Sequence, residues 1–175
     1  MIPQTIFLQG MCYSGKTTIG TMLAQRFNKK FLDSRYIFYN YWNTYDLDYL
    51  NDNGQQKFQI AEKESLQQDF FLQDVGVVAL SGSTLYLTDV MQGIYSNPQN
   101  LIIWLDVSYD TVMHRKKNEN TERPIVFPEG INSFQELYTS RRLIYETFAH
   151  ISVQIDENDS KEDVVEKIFK STVSA

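Results

Sequence analysis

The sequence predicts a three-layer α/β sandwich built on a parallel sheet. Three observations carry this reading. Strand-like and helix-like segments alternate along the chain, which implies parallel strands joined by right-handed crossovers. One strand candidate, Val77-Val78-Ala79-Leu80, is apolar throughout and suits a strand covered on both faces. The chain has 175 residues with no internal repeat and no Gly/Ser/Pro-rich linker, so residues 1–175 form one domain.

The elements follow in order. Thr5 to Gln9 is a short β-rich run. Thr17 to Phe27 places Ile19, Met22, Leu23 and Phe27 at helical spacing. Phe31-Leu32 is a second strand candidate ending at Asp33, and Gly54 to Leu72 reads as a long amphipathic helix. Val75 to Leu80 is the third strand and Leu101 to Leu105 the fourth, followed by a helix from about Ser108 to Lys117. Ser133 to Ala149 is helical by pattern, Ile151 to Ile155 is the fifth strand, and Ser160 to Phe169 is a closing helix. Ser160 is its expected N-cap, with Asp163 three residues on. The irregular stretch is Asn118 to Asn132, a length that in a compact domain usually carries function or disorder.

Bulk properties narrow the function. Hydrophobic content of 42% and charged content of 22% are those of a globular chain, which argues against disorder. A net charge of −6 argues against a nucleic-acid backbone as main partner. The single cysteine, Cys12, excludes an intrachain disulfide. The first residues lack a basic segment followed by a long apolar one, and no apolar run approaches ~18 residues. A monomeric cytoplasmic protein with no membrane partner is the expectation. No Cys/His/Asp cluster has zinc spacing, and His114 and His150 are isolated residues, read as structural or surface groups.

The stretch Gly10-Met11-Cys12-Tyr13-Ser14-Gly15-Lys16-Thr17-Thr18 meets the pattern G-x-x-x-x-G-K-[ST]. A strand runs in and a helix runs out, the context the motif requires. Backbone N–H groups there can wrap a phosphate, and the helix N-terminus adds about half a positive charge. Gly10, Ser14, Gly15, Lys16, Thr17 and Thr18 are the candidate nucleotide-binding residues. Lys16 would reach the β- and γ-phosphates of ATP, and Thr17 would bind Mg²⁺. Tyr13 is expected to point outward, leaving room for phosphate. Cys12, beside the helix terminus, is a candidate for a mildly acidified thiol. Asp33, just past a strand at the edge where α/β sheets place ligands, is a candidate to hold the magnesium's water shell or orient an acceptor hydroxyl. Its alternative role is a helix N-cap, and the two can coexist.

Once the later segments are set beside this loop, the chain resembles the shikimate kinase family, within the nucleoside-monophosphate-kinase-like P-loop kinases. The family's G-x-x-L-A is met by Gly20-Thr21-Met22-Leu23-Ala24, and its F-x-D-x-D by Phe31 to Arg35. Its long pattern around G-E-x-x-F-R-x-x-E fits Asp48 to Glu62. Its triple glycine becomes Ser81-Gly82-Ser83, its lid motif Arg123-Pro124-Ile125, and its late R-x-x-x-Y-x-x-x-A reads Arg141, Tyr145 and Ala149. The resemblance implies a three-layer α/β/α P-loop kinase fold with a five-stranded parallel sheet in the order 2-3-1-4-5. It implies an acceptor-binding subdomain at about residues 34–62 and a lid at about 114–130. It makes Lys16, Asp33 and Arg123 catalytic, with Arg123 swinging over the transferring phosphoryl group. It sets Arg115 against adenine and Mg²⁺ on Thr17 and Asp33, the latter through water. For the acceptor it selects Arg35, Gln59, Gly82 and Arg141. Arg141 and Arg142 point about 100° apart on one helix, so only one faces the acceptor.

Three acceptor positions depart from the family. Arg35 stands where an aspartate binds two ring hydroxyls, Gln59 stands where an arginine binds a carboxylate, and only Gly82 remains of the triple glycine. A cation that only donates hydrogen bonds replaces a carboxylate that only accepts them. Arg35 and Arg141 beside Gln59 leave a charge of +2 where the family has +1. The expected acceptor is therefore a small anionic hydroxyl-bearing metabolite distinct from shikimate. The alternatives are an authentic, divergent shikimate kinase and a nucleotide-binding regulatory protein without transfer chemistry. The aromatic run Tyr36 to Tyr45 is expected to pack a small helical cap, with stacking on a nucleobase as the alternative.

Overall fold

The computed structural model describes residues 3–67, 75–120 and 122–173. The strands are β1 (Thr5–Gln9), β2 (Lys30–Asp33), β3 (Val75–Ala79), β4 (Asn100–Val107) and β5 (Ile151–Ile155). The helices are α1 (Lys16–Arg26), α2 (Ser34–Trp42), α3 (Asp46–Leu66), α4 (Thr88–Ser96), α5 (Tyr109–Asn118), α6 (Phe134–Phe148) and α7 (Lys161–Val173), with a 3₁₀ turn at Thr84–Tyr86. All strand pairs are parallel and the order is β2-β3-β1-β4-β5. This is the α/β/α P-loop kinase fold the resemblance implied.

β1 lies at the centre, with Phe7 level with Val78 on one side and Ile102 on the other. Successive side chains of a strand point to opposite faces. Ile6 and Leu8 accordingly join Leu23, Ile103, Val112 and Ile168 in one core layer. Phe7 joins Val78, Leu80, Met91 and Ile102 in the other. The chain leaves β1 toward β2, and leaves β3 across β1 toward β4. The carboxyl ends of β1 and β3 therefore meet where the connections diverge, the place where such sheets bind ligands.

Several local expectations hold. Ser160 and Asp163 cap α7 reciprocally, each backbone N–H meeting the other's side chain at 3.1 Å. Ser133 and Glu136 form the same device on α6. Phe38, Trp42 and Tyr49 pack with Phe58, Ala61 and Val126, so the aromatic run builds a cap. Tyr36, Tyr41 and Tyr45 remain exposed. His150 Nδ1 accepts from Ile102 N at 2.9 Å while His114 contacts Asn118, both structural roles.

Others need correction. The helix expected from Gly54 to Leu72 begins eight residues earlier, at Asp46, and is described to Leu66; residues 68–72 of that expectation lie outside the described residues. Gly54, at φ 78° and ψ 169°, breaks the helical path between two pieces, a conformation glycine adopts without steric cost. The first piece was missed because Tyr49 and Leu50 are held by contact with α2, a tertiary effect absent from the local period. The Thr84–Tyr86 turn and α4 had no sequence expectation.

Candidate active site

α1 begins at Lys16, directly after the loop that leaves β1. Gly15 adopts φ 95° and Tyr13 φ 66°, so two left-handed residues curl the loop around Ser14. Lys16 Nζ donates to Gly10 O and Met11 O, each at 2.8 Å, and so bridges the mouth of the loop. Burial lowers its pKa from 10.5 to about 8. Thr18 is exposed on the first turn. Ser14 Oγ is buried without a hydrogen-bond partner. Arg115, from α5, donates from Nη1 to Tyr13 O and Ser14 O at 3.3 Å, bracing the loop from behind.

β2 runs into α2 without an intervening loop, and Asp33 is the N-cap. Its Oδ1 accepts from Arg35 N at 3.0 Å and Arg35 Nε at 3.3 Å. Its Oδ2 accepts from Thr17 Oγ1 at 2.7 Å, which ties the two sheet-edge loops together. The capping role foreseen for Asp33 is present, and its contact with Thr17 places it beside the phosphate loop. Thr17 and Asp33 present hard oxygen donors side by side, a set that suits Mg²⁺ once phosphate oxygens and water complete it. Among the described residues no group of three or more His, Cys, Asp and Glu is arranged to hold a metal without such help.

Arg123, the expected lid arginine, is ion-paired with Glu119 four residues earlier, just past the end of α5. Its Nε is buried and without a hydrogen-bond partner among the described residues. Its guanidinium lies 5.9 Å above the Tyr13 ring. Tyr13 is therefore half-buried and lines the cavity, contrary to the outward orientation expected; its left-handed backbone turns the ring under the lid. Cys12 also differs from expectation. Burial raises its pKa, and the nearby Lys16 charge only partly offsets this, so the thiol is not acidified.

A cavity of about 130 Å³ opens between the phosphate loop, the starts of α2 and α3, the Ser81–Ser83 turn and the segment that carries Arg123. Lys16, Thr17, Asp33, Arg35, Gly82 and Arg123 line it. Gln59 and Arg141 do not belong to its lining. Arg141 is only 2% exposed, donates from Nε to Tyr86 Oη at 3.1 Å and from Nη2 to Val126 O at 2.9 Å, and so ties the lid's far end to α6. It lies behind Gly82, where an added Cβ would approach Nη1 to 2.6 Å. Arg142 diverges as the helix geometry requires, pairing with Asp106 at 2.9 Å. The cavity's charged walls are Lys16, Arg35 and Arg123 against Asp33, Asp46 and Glu119. Three cations face three anions, so the +2 reckoned from the acceptor positions alone does not describe the cavity.

Sequence reading missed several of these groups. Glu62 is buried and accepts from Ser81, from Ser83 at 2.7 Å and from Thr84 at 2.8 Å. Burial raises its pKa, while these hydroxyls pull the other way. The signal was present: Phe58, Glu62 and Leu66 are four residues apart on one helical face. Asp46 lines the cavity at the start of α3; burial raises its pKa and the Arg35 charge opposes this. Nothing in its local sequence marked it.

Fold and phosphate loop are those of an ATP-dependent kinase that phosphorylates a hydroxyl group. The comparisons with known proteins agree. The family model of shikimate kinase matches residues 13–172, and the chain belongs to the shikimate kinase family. A shikimate kinase of a Sulfurihydrogenibium species is 28% identical over 173 residues, covering 95% of this chain and 97% of that one. One from Macrococcus caseolyticus is 30% identical over 175 residues, covering 95% of each. The structure of the shikimate kinase from Acinetobacter baumannii in complex with shikimate superposes with a TM-score of 0.82 at 21% identity, covering 99% of this chain and 94% of that one. Among the described residues no helix is long and apolar enough to cross a membrane.

Proposed function

We propose that the protein transfers the γ-phosphoryl group of Mg·ATP to a hydroxyl of a small anionic metabolite other than shikimate. Arg35 carries the proposal. It lines the acceptor cavity where family members carry a hydroxyl-reading aspartate, and neither of its terminal nitrogens has a hydrogen-bond partner among the described residues. Gln59 and the inward-turned Arg141 leave the family's carboxylate contacts without their usual donors. A site built around the wrong polarity of hydrogen-bond groups rejects a ligand strongly, because buried partners go unpaired.

The chemistry needs charge neutralisation and in-line positioning more than covalent participation. The loop amides and Lys16 hold the β- and γ-phosphates. Thr17 and Asp33 would hold Mg²⁺, which would neutralise phosphate charge. Asp33 also receives the hydrogen bond of the attacking hydroxyl. Arg123, whose Nε has no hydrogen-bond partner among the described residues, closes over the transferring group and excludes water. The orphaned Ser14 Oγ supports phosphate at the loop.

A second reading, turnover of shikimate itself, is favoured by the family membership and the near end-to-end match. An ADP-release assay separates the two. Shikimate and a panel of hydroxylated acids are offered with Mg·ATP. The proposal expects release with another acid and at least about 100-fold lower kcat/KM with shikimate, equivalent to roughly 3 kcal/mol. Equal or better turnover of shikimate refutes it. ATP binding with no acceptor-dependent release by any compound would indicate a nucleotide-binding protein without transfer activity.

A further inference from the structure

We propose that Asp46 is the acceptor-specificity residue of this cavity, accepting hydrogen bonds from hydroxyls of the acceptor while Arg35 takes its anionic end. The inference rests on the kinase reading above and adds the class of acceptor: an acid carrying at least one hydroxyl besides the one that is phosphorylated.

Asp46 opens α3 and faces the same cavity as Arg35. Its Oδ1 accepts from Leu47 N at 2.9 Å, which fixes the carboxylate's orientation. Its Oδ2 has no hydrogen-bond partner among the described residues, and Asp46 forms no ion pair there. Arg35 ion-pairs instead with Asp33, through Nε at 3.3 Å, and its terminal nitrogens stay free. A half-buried carboxylate and a half-buried guanidinium thus border one cavity without meeting. Asp46 Oδ2 and the terminal nitrogens of Arg35 are the atoms left open among the described residues. A ligand that donates to one and accepts from the other satisfies both.

The other groups in the cavity narrow the assignment. Ser81 and Ser83 donate their hydroxyl protons to Glu62, so they have none for an anion. Lys16 lies on the phosphate loop and Arg123 on the lid, where the triphosphate is expected. Tyr13 and Glu119 border the cavity from the phosphate loop and beside Arg123, so on the α2–α3 side Arg35 is the donor for an anionic group and Asp46 the open acceptor for a hydroxyl. Helix electrostatics alone do not require Asp46 to face inward, since Asp48 supplies a first-turn carboxylate from an exposed position. The hydroxyl-reading carboxylate of this fold would then sit on α3, with the guanidinium of Arg35 at the start of α2.

The test is steady-state ADP release by the full chain with shikimate, quinate, D-gluconate and D-glycerate, each beside an analogue lacking one hydroxyl. Asp46→Asn keeps the shape and the bond from Leu47 but turns the open acceptor into a donor. The expected result, for the acid turned over best, is an acceptor KM raised about ten-fold or more, with the KM for ATP and the melting temperature near wild type. The effect of the substitution disappears with the analogue lacking the contacted hydroxyl. In unaltered protein that analogue itself binds about ten-fold more weakly, so the inference stands or falls even if the variant misfolds. An unchanged acceptor KM in Asp46→Asn overturns the assignment and leaves the kinase reading intact. No acceptor-dependent release from wild type with any of the four acids overturns both.

Discussion

Lys16→Met, made in a Cys12→Ala background so that the neighbouring thiol does not titrate, tests how burial in the phosphate loop penalises the lysine charge. In the folded, ligand-free protein the Lys16 amine has a pKa of about 8 against 10.5 in its ordinary state, because burial disfavours the ammonium. Each unit of that difference is worth about 1.4 kcal/mol. Below a pH of about 8 the charged amine therefore costs the fold up to roughly 3 kcal/mol. Between about 8 and 10.5 the unfolded chain binds more protons at this site than the folded one, so stability rises with pH in that window. The side chain keeps some contact with water, which screens the effect. The expected gain of the lysine protein over the methionine variant, from about pH 7 to about pH 9.5, is roughly 1–2 kcal/mol. Urea denaturation of both proteins across that range measures it, since all other groups titrate alike and cancel in the difference. Parallel curves refute the reasoning. Saturating ATP should abolish the wild-type penalty by giving the ammonium its counter-charge, and the variant should lose at least about 100-fold in turnover.

Two further outcomes follow from the same geometry. Arg123→Ala should lower kcat by about 100-fold or more with little change in the KM for ATP, while Glu119→Gln, which removes only the ion-pair partner, should retain most activity; stopped-time ADP assays distinguish them. Glu62→Ala should destabilise the fold by about 2–4 kcal/mol, read by denaturant titration, because three hydroxyls lose their acceptor and a buried space opens; a change below about 0.5 kcal/mol would contradict the burial argument.

Much of this protein was legible in its sequence because the signals were local. The loop from Gly10 to Thr18 needs only short-range backbone geometry between a strand and a helix, and its glycines and lysine are contiguous. The capping of α6 and α7 rests on side chains three residues apart. Strand alternation set the two core layers, and the order of motifs along the chain carried the family. What escaped depended on contacts between residues far apart in the chain. The start of α3 is held against α2 by Phe38 and Tyr49, which no periodic pattern within residues 46–53 records. Arg141 could be separated from Arg142 by helical angle, but its burial behind Gly82, bonded to Tyr86 and Val126, required three other segments to arrive. Charge tallied along the chain gave the acceptor positions an excess of cations; folding brought Asp46 and Glu119 into the same cavity and balanced it. A sequence thus determines which groups are present and which local backbone holds them. Only tertiary packing decides which of them share a dielectric and a ligand, because burial and pairing are properties of neighbours in space.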